Sequence, residues 1–332
     1  MKLAAIDIGS NSIKVVVVEA AGSDSFAVLA SDRETVRLGQ ETIVNKHIST
    51  AAMQRAVKCL QRFRLLAETH GADQIVVTAT AFLREADNAG EFSQEIKEQT
   101  GLAVNVISGI EEARLIGLAA AHGCTGKGIT SLNTKQGITS LNTGKGVTSL
   151  NTERSVTSLN IDIGGGSTEL SIFRDDEPVI LRSINLGAVG LTDRFIRSDP
   201  PAPAELDAIR SEIRVSFRPA VSDIREHSWD EATATSGTAT TLGAALNHVW
   251  PPASTTVTVE QLKRLNQKLA SLSLAERRTI DGIPSQRADI IVAGGIVLEE
   301  VMSALGIESL QTCDWSLREG VIIDQLRKRN EL

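Results

Sequence analysis

The chain predicts an α/β fold of two facing lobes, and three observations carry that reading. The stretch Ile161-Asp162-Ile163-Gly164-Gly165-Gly166-Ser167-Thr168-Glu169-Leu170 is an apolar strand that bends through consecutive glycines and runs on as a second strand. The stretch Ile6-Asp7-Ile8-Gly9-Ser10-Asn11-Ser12-Ile13 is the same device near the start of the chain, followed by the run Val15 to Val18. A strand–turn–strand unit that occurs twice implies a duplicated domain. The 332 residues, 42% hydrophobic and 23% charged, supply enough apolar material for two cores.

Both bends have one physical use. Glycine takes positive φ and leaves no Cβ between the main chain and a ligand, so successive N–H groups can point at a single anion. Asp7, Gly9, Ser10, Asn11 and Ser12 in the first bend, and Gly164, Gly165, Gly166 and Ser167 in the second, are therefore candidate phosphate-binding residues. Carboxylates beside an anion loop are tolerated when a divalent cation bridges them to phosphate oxygens. Asp162 and Glu169, on either side of the second bend, are the candidate ligands for Mg2+ or Mn2+. For that bend alone, a tight hairpin with glycines at its turn is an equally good reading, because short glycine motifs match by chance.

Composition sets outer limits. A net charge of −7 gives no general attraction for nucleic acid or any polyanion, so binding a phosphate-rich ligand requires a local track of cations and N–H groups. No apolar run reaches membrane-spanning length, and Asp7 interrupts the start of the chain where a signal peptide would be unbroken. The expected location is the cytoplasm, with neither membrane nor nucleic acid as partner. Cys59, Cys124 and Cys313 are odd in number and lack metal-ligand spacing, which predicts reduced thiols, and the five histidines have no triad spacing.

In chain order, residues 3–8, 13–20 and 25–31 read as a meander of short β-branched strands. Arg37-Leu38-Gly39-Gln40 closes it, and Ser49 caps a helix over 50–70 with Ala, Val, Leu and Phe at helical spacing. Ile75-Val76-Val77 is a buried strand leading into Thr78-Ala79-Thr80-Ala81-Phe82-Leu83-Arg84-Glu85-Ala86-Asp87-Asn88. A helix near 89–100 and a strand over 103–107 follow. Ser108-Gly109-Ile110-Glu111-Glu112-Ala113-Arg114 is a helix N-terminus with acids in its first turn. Residues 128–160 are a nine-residue tandem repeat built on Thr-Ser-Leu-Asn. It predicts a surface insertion over 126–156 rather than a solenoid, because so few short copies stack too little apolar surface to offset their ordering entropy. The last copy starts the strand that carries Asp162. Strands over 157–163, 168–174 and 178–185 then repeat the opening meander. Pro200-Pro201-Ala202-Pro203 starts a helix reaching about residue 222, Asp230 to Thr235 is a strand, and Ser236-Gly237-Thr238 turns into another helix. Ser236, Gly237 and Thr238 read equally as phosphate donors and as a capped helix start.

Asp-x-Gly in both halves resembles the actin, sugar-kinase and heat-shock-chaperone superfamily. The wording Asp-Ile-Gly-Ser-Asn-Ser and Asp-Ile-Gly-Gly-Gly-Ser-Thr-Glu, with the segments around Arg84, Glu112, Gly190, Ser236, Arg287 and Arg318, resembles the exopolyphosphatase and guanosine pentaphosphate phosphohydrolase (Ppx/GppA) family in its short two-domain form. The resemblance implies two actin-like (ribonuclease H-like) lobes, a mixed sheet in each, with a phosphate-binding cleft between them. The lobes would span 1–125 and 157–315, and the helix over 316–330 would pack back on the first. It also implies Glu112 as the catalytic base that activates water, Arg84 as the cation that grips phosphate, and Arg114 as either a support for Glu112 or an exposed side chain. The implied activity is Mg2+-dependent release of orthophosphate from inorganic polyphosphate, with pppGpp as an alternative substrate, and it is compatible with a homodimer. A nucleotide-binding module of the kinase type and a non-catalytic polyphosphate sensor are the competing readings.

Overall fold

The computed structural model describes residues 1–21, 25–40, 42–123, 155–249 and 254–330. The tandem repeat up to residue 154 lies outside the described residues, and so does the expectation placed on it.

β1 (Lys2–Ile8), β2 (Ser12–Ala20) and β3 (Phe26–Thr35) form the expected antiparallel meander. β3 runs past the expected end near residue 31, because the ladder shifts register at Val17/Val18 and then continues until Thr35 faces Ser12. α1 (Thr42–Asn45) and α2 (Thr50–Thr69) cross over to β4 (Gln74–Ala79), which lies parallel to β1. α2 is a helix for the reasons its sequence gives. Ser49 Oγ accepts the Ala52 N–H at 3.3 Å, and Ala52, Ala56, Leu60, Phe63 and Ala67 bury one face. α3 (Ala81–Arg84), α4 (Ala89–Thr100) and β5 (Val104–Val106) complete a sheet of order β3-β2-β1-β4-β5.

α5 (Gly109–Gly123) leads toward the second half, where β6 (Thr157–Ile163), β7 (Thr168–Arg174) and β8 (Glu177–Ile184) repeat the meander. After α6 (Ala188–Phe195), the long α7 (Pro203–Arg225) returns to β9 (Glu231–Thr235), parallel to β6. Pro203 suits the first turn of α7, where a missing N–H costs nothing, and Glu205 accepts the Ala202 N–H at 2.9 Å. α8 (Ser236–Val249), β10 (Thr256–Thr258), α9 (Val259–Ser271), α10 (Leu274–Arg277), α11 (Ile291–Leu305), β11 (Ser309–Thr312) and α12 (Leu317–Asn330) follow. The second sheet has the order β10-β11-β9-β6-β7-β8. From its meander edge inward it reads β8-β7-β6-β9-β11, the arrangement of the first sheet, with β11 parallel to β9 as β5 is to β4. The fold is thus the two-lobe α/β architecture with a mixed sheet in each half.

Each lobe has its own apolar core. A third core joins them, in which Leu3, Ala5, Val16 and Val18 of the first sheet and Phe173 of the second pack with Leu115, Ile116 and Leu118 of α5 and Leu317, Val321 and Ile322 of α12. The two helices are exchanged between the lobes: α12 lies on β1 and β2, and α5 lies on β7 and β8. This crossing brings Glu112 of α5 to the second sheet. Cys59 is a buried free thiol, whereas Cys313 is disulfide-bonded, which corrects the expectation of three thiols. Linear spacing tests for metal ligands and is blind to pairing across a fold. No described helix is long and apolar enough to cross a membrane.

Candidate active site

The two glycine bends are the same hairpin. Gly9 N–H donates to Ser12 O at 3.1 Å, and Gly164 N–H donates to Ser167 O at 2.9 Å. They meet across the lobe boundary, since a Cβ on Gly165 would stand 3.0 Å from Ser10 Cβ and one on Gly166 would stand 2.8 Å from Ser10 Oγ. Only glycine permits this approach. Between the hairpins lies a cleft lined by Asp7, Gly9, Ser10, Asn11, Ser12, Glu112, Asp162, Gly164, Gly165, Gly166 and Ser167, and by Ser236, Gly237 and Thr238 at the start of α8. Residues expected from separate stretches of sequence are therefore brought to one place. At α8, Ser236 holds φ at +76°, its Oγ donates to Ile163 O at 2.7 Å, and the same oxygen accepts the Thr238 N–H at 3.3 Å.

Four buried carboxylates meet here. Asp7 and Asp162 hold equivalent places in the two sheets, on β1 opposite Thr78 and on β6 opposite Thr235. Asp162 Oδ2 accepts from Thr235 Oγ1 at 2.6 Å and Ser316 Oγ at 3.1 Å, while Asp7 faces Lys14 Nζ at 3.7 Å. Burial raises both acids above the ordinary carboxylate range, against the opposing pull of these partners. Glu112 is raised to about 7, first by burial, with the charge and hydrogen bond of Arg84 drawing it down and the charges of Asp7 and Asp162 pushing it up. Glu169 stands well above its usual range through burial and then the charges of Glu112 and Asp162. Its Oε1 accepts from Ser183 Oγ at 2.8 Å, and its buried Oε2 has no partner. Asp162 and Glu169 are directly opposed in the β6–β7 ladder. An orphaned carboxylate oxygen beside a second acid is a donor set that a divalent cation fits. Among the described residues no third Asp, Glu, His or Cys joins them to complete a metal cluster. Mg2+ is commonly held by one or two carboxylates with water and phosphate oxygens in the remaining places.

Arg84 lies against the candidate base. Its Nη1 donates to Glu112 Oε2 at 2.8 Å and to Ile107 O at 3.0 Å, and its Nη2 is buried. The strand and turn before α3 set it beside Glu112, whose carboxylate takes a charge-assisted hydrogen bond from the guanidinium. Arg114 points elsewhere, with 2.7 and 2.8 Å bonds to Glu111 and one of 2.8 Å to Asp324.

The cleft has other cations. Lys14 and Arg287 line it. Arg287 is 5% exposed, and its side chain has no hydrogen bond or ion pair among the described residues. Its guanidinium lies on Gly237, where a Cβ would stand 1.9 Å from Nη2. Burial and then the charge of Arg33 bring Arg287 down to about 9, and Asp162 pulls the other way. Lys14 is also lowered, by burial first, with Arg318 and Arg287 adding repulsion. Arg318 thus acts by charge on Lys14 and Arg33 on Arg287, so positive charge is gathered at one side of the cleft of an acidic chain. Sequence reasoning missed this set. The one available signal was Lys14, a lone charge in the β2 run Ser-Ile-Lys-Val-Val-Val-Val, opposite Asp7.

The Ppx/GppA phosphatase family model matches residues 15–134 and 140–329, so the match continues through most of the repeat and breaks only over 135–139. Exopolyphosphatase 1 of Mycobacterium leprae is 30% identical over 331 residues, covering 98% of this chain and 90% of that protein. Its counterpart in Mycobacterium tuberculosis is 29% identical, with coverages of 98% and 88%. Among solved structures, an exopolyphosphatase from Cytophaga hutchinsonii superposes with a TM-score of 0.84 at 24% identity, covering 99% of this chain and 98% of that one. The Aquifex aeolicus member of the family gives 0.75 at 23%, with 99% of both chains covered. By sequence along nearly its whole length, and with a fold to match, the chain belongs to the Ppx/GppA phosphatase family.

Proposed function

We propose that the protein is an exopolyphosphatase, a phosphoanhydride hydrolase that removes the terminal orthophosphate of inorganic polyphosphate. The observation that carries this reading is the coexistence, in one cleft, of a carboxylate raised to about 7, Glu112, and a buried guanidinium with no hydrogen bond or ion pair among the described residues, Arg287. A site built to hold an anion and to take a proton from water is a site for hydrolysing an anion.

In this mechanism the glycine hairpins donate N–H groups to the terminal phosphate, and Lys14 and Arg287 balance the charge of the chain behind it. Glu112, oriented by Arg84, takes a proton from water as the water oxygen bonds to the terminal phosphorus. The bridging P–O bond breaks, orthophosphate leaves, and the shortened chain keeps the bridging oxygen. Asp162 and Glu169 would hold Mg2+ or Mn2+, which when bound supplies charge neutralisation at the phosphate oxygens.

The cleft lining has no aromatic side chain among the described residues, so nothing in it offers a stacking face to a base. pppGpp presents the same terminal anhydride and is the second reading, with its guanosine outside this lining. Orthophosphate release from polyphosphate, pppGpp and ATP, each with and without magnesium, tests the reading. The expected order is polyphosphate first, pppGpp weaker and ATP least, all requiring the metal. Release from none of them would overturn it in favour of a sensor.

A further inference from the structure

Arg37 is one of four described non-glycine residues with positive φ, at +55°, a backbone state that an ordinary side chain occupies only when its surroundings hold it there. Its N–H donates to Asn11 O at 2.9 Å, which ties it to the first hairpin. Its guanidinium leaves the first lobe. Nη1 donates to Asp289 Oδ2 at 2.7 Å, and Nη2 donates to the Gln286 carbonyl at 3.2 Å. These two acceptors stand on either side of Arg287 in the chain. The segment between them is a turn closed by Arg287 N–H to Pro284 O at 2.8 Å and by Ile290 and Ile291 N–H to Arg287 O at 3.1 and 3.0 Å. Arg287, the cleft cation with no bond of its own to fix it, is thus carried on a turn that a first-lobe side chain grips at both ends.

We propose that Arg37 is a positioning residue that latches the lobes together through the turn over 284–291, so that closing the cleft and aiming Arg287 at the phosphate chain are one event. The proposal rests on the polyphosphate reading of the cleft and adds to it the element that sets the grip. An arginine suits the task because its planar fork reaches a carboxylate and a carbonyl at once, which a lysine ammonium does less well.

Two measurements test it. Hydrogen exchange of the ligand-free protein should show faster exchange at the amides of Ile290 and Ile291 in Arg37→Ala, and the same pattern in Asp289→Ala, which removes the carboxylate acceptor from the other lobe. Unchanged exchange at these amides in both variants overturns the latch, whatever the substrate. In a Glu112→Gln background, calorimetric titration with tripolyphosphate should show binding about tenfold weaker for Arg37→Ala. The double variant Arg37→Ala/Arg287→Ala should bind no more weakly than Arg287→Ala alone, because Arg37 acts through Arg287. Additive losses would overturn that route. Absence of tripolyphosphate binding by the Glu112→Gln protein would instead overturn the polyphosphate reading, with the exchange data still deciding the latch.

Discussion

At Glu112 burial and the charges of Asp7 and Asp162 pull against Arg84, and the balance falls at about 7. A general base works once it has lost its proton, so kcat/KM should rise with pH through about 7 and level off above it. Arg84→Ala removes the main influence that lowers Glu112, so the midpoint should move to higher pH. A pH–rate profile with an unmoved midpoint would show that Arg84 does not act on the base. Glu112→Gln keeps the shape of the site and should lose at least ~10²-fold in turnover while the melting temperature holds. Stability runs the other way. Asp7, Glu112, Asp162 and Glu169 all have folded values raised above their unfolded ones by burial. Their contribution is present below the ordinary carboxylate range and is lost as pH rises through the folded values. The ligand-free protein should therefore melt higher at about pH 6 than at about pH 8, opposite to its activity, as scanning calorimetry at the two values would show. The place of Glu112 in the first turn of a helix was legible in the sequence. Arg287 was not, because what distinguishes it is burial without a partner, and a sequence records neither.

At the scale of elements, the hairpins were the most legible part, since alternating apolar residues broken by Gly and Ser leave little choice of structure. The position of α5 was not legible. Its own pattern makes it a helix with Glu112 in the first turn, yet only the packing of Leu115, Ile116 and Leu118 with Phe173 shows that it lies on the second sheet and so brings Glu112 near Glu169. Two predictions belong here. Gly237→Ala puts a methyl where the end of the Arg287 side chain lies, and that end can move. It should raise KM for polyphosphate with little change in kcat or melting temperature, and an unchanged KM would detach Arg287 from substrate binding. Glu169→Ala takes one acid from the opposed pair on β6 and β7 and should raise the magnesium concentration needed for half-maximal rate. A magnesium curve that does not move would remove Glu169 from the metal site.

In the whole molecule, the joining core packs elements of both lobes against each other. Ile322 of α12 is fully buried within it. Ile322→Ala should cost about 2–5 kcal/mol, the usual range for a large aliphatic cut to alanine in a core, and both lobes should still unfold in one transition. A calorimetric trace that splits in two would show that the lobes stand alone. The duplication was readable from two short motifs, and it fixed the architecture. What it concealed is where the copies differ. Asp7 has a lysine directly across its ladder, whereas Asp162 has a glutamate there. One half of the molecule thus has its counterion built into the chain. The other sets two carboxylates side by side with no ion pair among the described residues, and the nearest relief is the charge of Lys14 on Asp162 and hydrogen bonds from Thr235, Ser316 and Ser183. A divalent cation held by that pair, as proposed above, would have to displace protons from it, so the pH and magnesium dependence of the enzyme would be linked through a single half of a doubled design.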